Sequence, residues 1–315
     1  MTSRFYPNLR SSTAVLLVLA GCSLIAARQP AFGQKASNDK NGEALHIEVQ
    51  DRQGLRIAAS EAGAKPQADS LSLAFQRGYQ PGDRILVTGP RRMAVRMDEN
   101  MPECLIYLSQ SLPGSFVYDI PFGRAEQETG SAYAPESFSG DSHRVSVRAW
   151  SEQERHGYRN LALNPCDQSR TDPKSVWGFP HATSNSVARN LFDFEARNAI
   201  DGFTCNGHHG VWPYQSWGPQ WGMDAWWKVD FGRPVTLDKI RLMIRTDFPH
   251  DSYWKRADVE FSDGGRITIS IEPTARFQEF SIPARQTSWL RLSNLVPSDP
   301  SKWCSLVELE AWGRE

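Results

Sequence analysis

Residues 227–244 read WKVDFGRPVTLDKIRLMI, and their alternation of apolar and polar side chains decides the fold class of this chain. At the start of the segment the apolar side chains occupy the odd positions Trp227, Val229 and Phe231. Further along, Ile240, Leu242 and Ile244 share one face, and the opposite face carries Lys239, Arg241, Met243 and Arg245. A period of two residues is typical of a β-strand with one buried face. The segment therefore predicts extended structure.

The same alternation continues toward the end of the chain. Apolar side chains again occupy every second position at 257–261, 267–271, 290–292 and 307–311. Asp263-Gly264-Gly265 lies between the first two of these segments and predicts the turn of a hairpin. Strands with one apolar face, separated by turns, are typical of an antiparallel sandwich. We therefore predict a β-sandwich domain for residues 156–315.

The first half of the chain is also rich in short segments of strand-like composition. They lie at 45–49, 84–87, 94–97, 104–108 and 145–149. Turn residues such as Pro81-Gly82-Asp83 separate them. We predict a smaller accessory β-sandwich at 44–155, so the whole chain is predicted to be all-β, with two β-sandwich domains.

The N-terminus has the pattern of an export signal. Arg4 and Arg10 precede a short apolar stretch at 14–20, which is too short to span a bilayer. Two endings fit this pattern. Either Cys22 closes a lipobox and is lipidated, or the signal continues and is cut after Ala31-Phe32-Gly33.

Both endings predict a signal peptide within residues 1–33, followed by a polar linker at 34–43. The protein is then exported, either as a cell-envelope lipoprotein or as a secreted or periplasmic protein. We expect membrane contact only through the lipid anchor. Charge is nearly balanced, with 35 Lys and Arg against 36 Asp and Glu, so nucleic acid is not an expected partner.

Four cysteines remain once Cys22 is set aside: Cys104, Cys166, Cys205 and Cys304. In an oxidising compartment they can form two disulfides, and the sequence leaves all three pairings open. Their spacing does not match that of zinc ligands.

Aromatic residues are concentrated in one loop-like segment at 208–221. The chain has 11 tryptophans, and six of them fall between Trp212 and Trp254. An aromatic ring stacks on the apolar face of a sugar while imidazoles and amides bind its hydroxyls. The candidate ligand-binding residues of this loop are His208, His209, Trp212, Tyr214 and Trp217. The alternative is that these rings pack on one another over the end of the sandwich.

A second polar cluster follows directly after the strand that ends near Ile244. Its candidate ligand-binding residues are Arg245, Asp247, His250, Asp251, Trp254 and Lys255. Ordinary surface loops have a similar composition, with solvated ion pairs worth about 0–1 kcal/mol. We predict that this cluster and the aromatic loop converge on one pocket.

Five motifs in the second half are similar to those of a known family. They are NLALN at 160–164, HATSNS at 181–186, NAIDG at 198–202, WWKVDFG at 226–232 and ELEAWG at 308–313. In order and spacing they resemble the discoidin-like domains, also called coagulation factor V/VIII type C domains. The resemblance implies a galactose-binding-like jelly roll with ligand loops at one end. It also implies a carbohydrate ligand, as in many bacterial members, with Arg245 at a ligand-binding position.

The resemblance further implies a structural calcium ion. Its ligands would be Asp201, Glu308, the carbonyl oxygen of Ala199 and an oxygen of Thr204, because calcium prefers several hard oxygen ligands. The family usually has Asn after the Asp-Gly pair, whereas this chain has Phe203. The alternative is a turn in which Asp201 caps its own backbone, with Glu308 as a surface residue.

Three functions remain open at this stage. The leading one is an exported carbohydrate-binding protein without catalytic activity. The second is a polysaccharide-active enzyme, either a glycoside hydrolase with Asp247 and Asp251 as its carboxylate pair or a uronate lyase using His250, Arg245 and Lys255. The third is a protein- or lipid-binding domain. The sequence contains no nucleophile elbow, zinc-protease motif or phosphate-binding loop.

Overall fold

The computed structural model describes residues 44–61, 69–109, 114–121, 132–169, 178–220, 224–246 and 251–315. The predicted signal peptide and linker, including Cys22, lie outside these ranges. The described residues belong to one compact unit. Nearly all of their regular structure is antiparallel β-sheet, which confirms the predicted all-β class.

Two four-stranded antiparallel sheets form the N-terminal part. The first has the order β2-β1-β4-β7 and consists of β1 (His46–Gln50), β2 (Arg56–Glu61), β4 (Arg84–Thr88) and β7 (Ser115–Asp119). The second has the order β3-β8-β5-β6 and consists of β3 (Ser70–Gln76), β5 (Arg92–Arg96), β6 (Cys104–Tyr107) and β8 (Ser142–Ala149). Side chains from both sheets, such as Ile47, Val87 and Ile106, form one fully buried hydrophobic cluster. The boundary at 155/156 between two domains remains a prediction.

A short helix, α1 (Glu152–His156), leads into the C-terminal part. The strands there are β9 (Arg159–Asn160), β10 (His181–Ser184), β11 (Trp227–Ile244), β12 (Trp254–Phe261), β13 (Arg266–Ser270), β14 (Gln278–Pro297) and β15 (Leu306–Arg314). They pair in the order β13-β12-β14-β11-β15-β9, and β10 also pairs with β11. Single-turn 3-10 helices between β10 and β11 lie at Ala188–Asn190, Phe192–Phe194 and Ala196–Ala199.

Strand β11 is long because it bends and changes partners partway. Its first residues pair with β10, and its later residues pair with β15. The pairing with β14 shifts register between Asp230 and Val235. Within that shift Gly232 has a φ of 68°, and a Cβ there would lie 2.4 Å from the Phe179 ring, so only glycine fits. A bent strand of this kind lets one segment contribute to both layers of a sandwich.

The apolar faces predicted for β11 are confirmed. Both of its predicted apolar sets are buried in the C-terminal core: Trp227, Val229, Phe231, Ile240, Leu242 and Ile244. Met243 and Arg245, which lie on the opposite face, are buried as well. The physical reason is that the aromatic loop covers this end of β11, and the carbonyl oxygen of Tyr214 accepts a hydrogen bond from Arg245.

One disulfide links the N-terminal strands to the segment that follows α1. It joins Cys104 at the start of β6 to Cys166. Cys205 and Cys304 are both free, the first exposed and the second buried. The structure therefore contains one of the two disulfides that these four cysteines allow.

Removing this disulfide is expected to destabilise the protein. The Cys104→Ser/Cys166→Ser double variant frees a loop whose ends lie 62 residues apart, and its free energy of unfolding is expected to fall by about 2–4 kcal/mol. Denaturant unfolding of the oxidised proteins measures this change. The Cys205→Ser variant is the matched control and is expected to unfold like the parent. An unchanged midpoint in the double variant would show that the link contributes nothing to stability.

Within the described ranges, no helix is long and apolar enough to cross a lipid bilayer.

Candidate functional site

A cavity of about 480 Å³, including its open mouth, lies where β11 ends. Four stretches of chain form its walls: the 3-10 turns after β10, the aromatic loop, the residues that follow β11 and the residues that precede β15. Its lining residues are Ala188, Arg189, Phe194, His209, Gly218, Arg245, Asp251, Trp303 and Ser305. The structure thus brings His209 of the aromatic loop together with Arg245 and Asp251 of the second polar cluster.

Backbone pairing explains why these stretches meet. The end of β11 pairs with the start of β15, where Ile244 lies opposite Leu306. Trp217 of the aromatic loop exchanges two backbone hydrogen bonds of 2.8 Å with the same Leu306. The next step of the ladder joins Arg245 N to the carbonyl oxygen of Ser305 at 3.0 Å. The aromatic loop and the end of β11 are therefore both held against the residues that precede β15.

Arg245 lies deepest among the charged residues of the cavity. Its side chain is only 1% exposed, although it begins a loop. Its Nη2 atom donates a hydrogen bond of 2.6 Å to the carbonyl oxygen of Tyr214. This contact fixes the guanidinium against the aromatic loop. A guanidinium held in this way presents further donors in a rigid plane, a geometry suited to neighbouring hydroxyls or a carboxylate.

Asp251 forms another wall of the cavity and is also buried, at 3% exposure. Its backbone forms a parallel bridge with Trp303, and the next amide, Ser252 N, donates to the Trp303 carbonyl oxygen at 2.7 Å. The cavity wall therefore contains both the carboxylate of Asp251, a hydrogen-bond acceptor, and the guanidinium of Arg245, a hydrogen-bond donor. Donor and acceptor groups placed side by side match the paired hydroxyls of a sugar ring.

Six of the nine lining residues were not among the predicted site residues, and two of these, Trp303 and Arg189, carry a large aromatic or charged side chain at the cavity. Trp303 is half-buried, and its ring is available to the cavity. Arg189 is exposed, and its guanidinium carbon lies 6.0 Å from the centroid of that ring. The concentration of tryptophans in the second half was the only sequence signal for Trp303. The sequence held no signal for Arg189.

The structure corrects the prediction for two tryptophans. Trp217 is completely buried, and Trp254 is 5% exposed. Their rings stack on each other with centroids 5.6 Å apart, and Trp217 Nε1 donates to the Ser186 carbonyl oxygen at 3.0 Å. Both rings belong to the C-terminal hydrophobic core. They stabilise the sandwich and cannot stack on a ligand at the surface.

The other predicted ligand-binding residues that the structure describes do not line the cavity. The half-buried Trp212 packs edge-on against Phe203, with ring centroids 5.9 Å apart. His208 is exposed beside the Tyr214 ring. Lys255 is exposed on β12. Asp247 and His250 lie outside the described residues.

The predicted calcium ligands include two buried acidic groups. Asp201 and Glu308 are both almost fully buried, and the backbone N of Gly202 donates to Glu308 Oε2 at 3.3 Å. Asp201 accepts hydrogen bonds from Phe203 N at 2.8 Å and from Gln215 Nε2 at 2.9 Å. The alternative prediction of Glu308 as a surface residue is therefore wrong, whereas Asp201 does cap its own turn.

Burial and mutual repulsion change the acidity of this pair. Burial raises the pKa of Asp201 from 3.8 to about 7. Burial, followed by the repulsion from Asp201, raises the pKa of Glu308 well above its ordinary value. The two carboxylates therefore need either a proton or a cation to be stable together. Among the described residues, no group of three or more His, Cys, Asp and Glu side chains is arranged around a metal position.

An antiparallel β-sandwich with a polar and aromatic cavity at its loop end defines a ligand-binding module of the jelly-roll class. Residues 181–309 match the sequence model of the F5/8 type C domain. This part of the chain is an F5/8 type C domain, which confirms the resemblance seen in its motifs.

Solved structures similar to this chain share low sequence identity with it. Chitosan-binding module 1 of a chitosanase/glucanase from Paenibacillus sp. IK-5 is 22% identical, with a TM-score of 0.34, over 49% of this chain and 98% of that one. The Streptococcus pneumoniae fucose-binding module SpX-3 is 16% identical, with a TM-score of 0.34, over 50% and 98%. The family 32 carbohydrate-binding module of C. perfringens NanJ, in complex with galactose, is 14% identical, with a TM-score of 0.33, over 42% and 91%. No curated protein matches the chain significantly.

Proposed function

We propose that this protein is an exported carbohydrate-binding protein and that it binds its glycan in the cavity formed by Arg245, Asp251, His209 and Trp303. The observation that carries the proposal is the meeting of these groups in one cavity at the loop end of an F5/8 type C domain. The export signal pattern at 1–33 supports the exported location.

The cavity offers what a sugar ring requires. Arg245 donates hydrogen bonds, Asp251 accepts them, and His209 does either, depending on its tautomer. The Trp303 ring is half-buried, so one part is held by the protein while another remains free to stack on a ligand. Few but convergent polar groups beside an aromatic surface are typical of small-molecule sites.

Trp303→Ala is expected to weaken glycan binding at least tenfold, a loss of about 1.4 kcal/mol, because the stacking surface is removed. A glycan array identifies a ligand of the parent protein, and isothermal titration of that ligand measures the affinity of both proteins. Since Trp303 is not part of the hydrophobic core, the melting temperature is expected to change little.

Trp226→Ala is the matched control, because Trp226 is also half-buried but does not line the cavity. It is expected to bind like the parent. Equal loss of binding in both variants, or retained binding in Trp303→Ala, would place the ligand elsewhere. A parent protein that binds no glycan would overturn the proposed function.

The enzyme hypothesis gains no support from the described residues. Lys255, which the lyase route needs beside its base, is exposed on β12 and does not line the cavity. Asp251 is the one carboxylate among the described lining residues, whereas glycoside hydrolysis uses two.

We also propose a structural calcium ion at Asp201 and Glu308. The raised pKa values of the two buried carboxyl groups support this proposal, because a cation between them would compensate their charges when both are ionised. Gln215, which donates to Asp201, and Asn198 each have a buried amide oxygen without a hydrogen-bond partner, Gln215 Oε1 and Asn198 Oδ1. Carboxylate and amide oxygens are ligands that calcium prefers. The ion would hold the Asp201 turn to β15, and the roles of Ala199 and Thr204 remain predictions.

A further inference from the structure

The backbone around Arg189 has an unusual conformation. Arg189 has φ 52° and ψ 10°, and Asn190 has a φ of 54°. Both are in the left-handed region, which costs an L-residue other than glycine roughly 1–2 kcal/mol. Two such residues in succession persist only where the surrounding structure fixes them, and such strain is found preferentially at functional sites.

Hydrogen bonds to the aromatic loop fix this turn. Ala188 N donates to the Gly218 carbonyl oxygen at 2.7 Å, and Arg189 N donates to Gln220 Oε1 at 3.1 Å. The turn also closes on itself, since Asn190 N donates to the Val187 carbonyl oxygen at 3.2 Å. These hydrogen bonds therefore fix the backbone that carries the Arg189 side chain at the cavity wall.

The Arg189 guanidinium lies at the mouth of the cavity. Its carbon is 6.0 Å from the centroid of the Trp303 ring, the surface proposed to stack on the sugar. The side chain is exposed, and no Asp or Glu of the described ranges forms an ion pair with it. The guanidinium is therefore a solvent-exposed cation that lies over the Trp303 ring.

Among the lining residues that the structure describes, the formal charges do not balance. Of the charged lining residues, Arg245 and Asp251 are buried and carry opposite charges, so together they contribute no net charge. Arg189 adds one positive charge at the mouth. A neutral sugar leaves this excess uncompensated, whereas an anionic substituent neutralises it and accepts charge-assisted hydrogen bonds.

We propose that the glycan carries an oxyanion, either a uronate carboxylate or a sulfate ester, and that Arg189 binds this group while the sugar ring stacks on Trp303. The inference rests on the proposed function, because it assigns the chemistry of the ligand at the same site. It makes Arg189 a specificity-determining residue.

The test compares charged and neutral forms of the same sugar chain. The full chain is titrated with oligogalacturonate and its methyl ester, and with a sulfated galactan oligosaccharide and its desulfated form. The parent protein is expected to bind the charged member of one pair at least tenfold more tightly than the neutral member. The pair that shows this preference identifies the oxyanion as carboxylate or sulfate. Added NaCl is expected to reduce the preference.

Arg189→Gln keeps a polar side chain but removes the charge. It is expected to lose most of the preference while still binding the neutral member as the parent does. Arg276→Gln is the control, because Arg276 is an exposed arginine that does not line the cavity. It is expected to keep the preference.

Three outcomes would overturn the proposal. If the parent binds the charged and neutral members equally, the proposal of an anionic ligand is wrong, whereas the proposal of glycan binding is unaffected. If Arg189→Gln weakens the binding of both members equally, or of neither, Arg189 does not distinguish the charged member from the neutral one. Failure of the parent to bind any glycan on a wider array overturns the proposed function together with this inference.

Discussion

Replacing Arg245 with methionine is expected to lower the affinity for the glycan at least a hundredfold. Methionine matches the length and apolar packing of the arginine stem but supplies no donors. Hydrogen bonds to charged groups contribute about 1.5–3 kcal/mol each, and the buried guanidinium of Arg245 offers several. The variant also loses the bond to the Tyr214 carbonyl oxygen, which positions the aromatic loop. Isothermal titration with a glycan identified for the parent measures the change.

A fall in stability must be separated from a loss of binding. Arg245→Met loses the hydrogen bond that holds the buried side chain to the Tyr214 carbonyl oxygen, so its melting temperature is expected to fall as well. Arg245→Lys keeps the charge but not the planar fork of donors. It is expected to fold closer to the parent and still bind at least tenfold more weakly. Parent-like affinity in a folded Arg245→Met protein would show that this cavity does not bind the glycan.

The sequence allowed the class of fold to be predicted because strand alternation is a local property. In each of its two predicted sets, the apolar side chains of β11 are buried at every second position, although the phase shifts between Leu237 and Ile240. The hairpin at Asp263-Gly264-Gly265 is confirmed for the same reason, as this turn joins β12 to β13. By contrast, the bend at Gly232 depends on the approach of Phe179, which is distant in sequence. No local sequence pattern predicts the contact between Gly232 and Phe179.

Three N-terminal strands were missed, although one of them had a recognisable pattern. In β3 the apolar side chains Leu71, Leu73 and Phe75 alternate with smaller residues. Strands β2 and β7 have weaker alternation, and their pairing with β1 and β4 defines them. The cysteine pairing likewise could not be predicted from the sequence, because a disulfide depends on which strands become neighbours.

The position of the candidate site followed from where strands end, but the roles of its aromatic rings did not. Arg245 lies directly after β11, so its place at the loop end was predictable from the strand itself. Loop residues have no period, so nothing in the sequence distinguished the buried Trp217 from a half-buried ring such as that of Trp303. The position of Arg189 depends on a left-handed turn that tertiary hydrogen bonds hold in place. Such a turn cannot be predicted from the local sequence.

The second large effect is expected at Asp201 and Glu308, where stability should depend on pH and calcium together. In the metal-free protein the pKa of Asp201 is about 7, against 3.8 ordinarily, so between these values the folded state holds a proton that the unfolded state does not. Stability therefore falls as pH rises through this window. Glu308, whose pKa is also raised, acts in the same direction.

Thermal unfolding in chelator is thus expected to show a lower melting temperature at pH 8 than at pH 5. Added calcium is expected to restore the loss at pH 8, because the cation replaces the proton between the two carboxylates. At pH 5 calcium competes with bound protons, so its effect is expected to be small. A calcium response that is equal at both values, or absent at pH 8, would remove calcium from this position.

Asp201→Asn gives the sharper test because two effects of opposite sign are expected. In chelator at pH 8 the variant is expected to be more stable than the parent, by about 1–3 kcal/mol, since it no longer buries two like charges. It is also expected to lose the calcium response, because one hard ligand becomes a neutral amide. Asp263→Asn, at the exposed turn between β12 and β13, is the control and is expected to keep the response. If the Asp201→Asn protein is less stable in chelator and is still stabilised by calcium, the Asp201 carboxylate caps its turn and does not bind calcium.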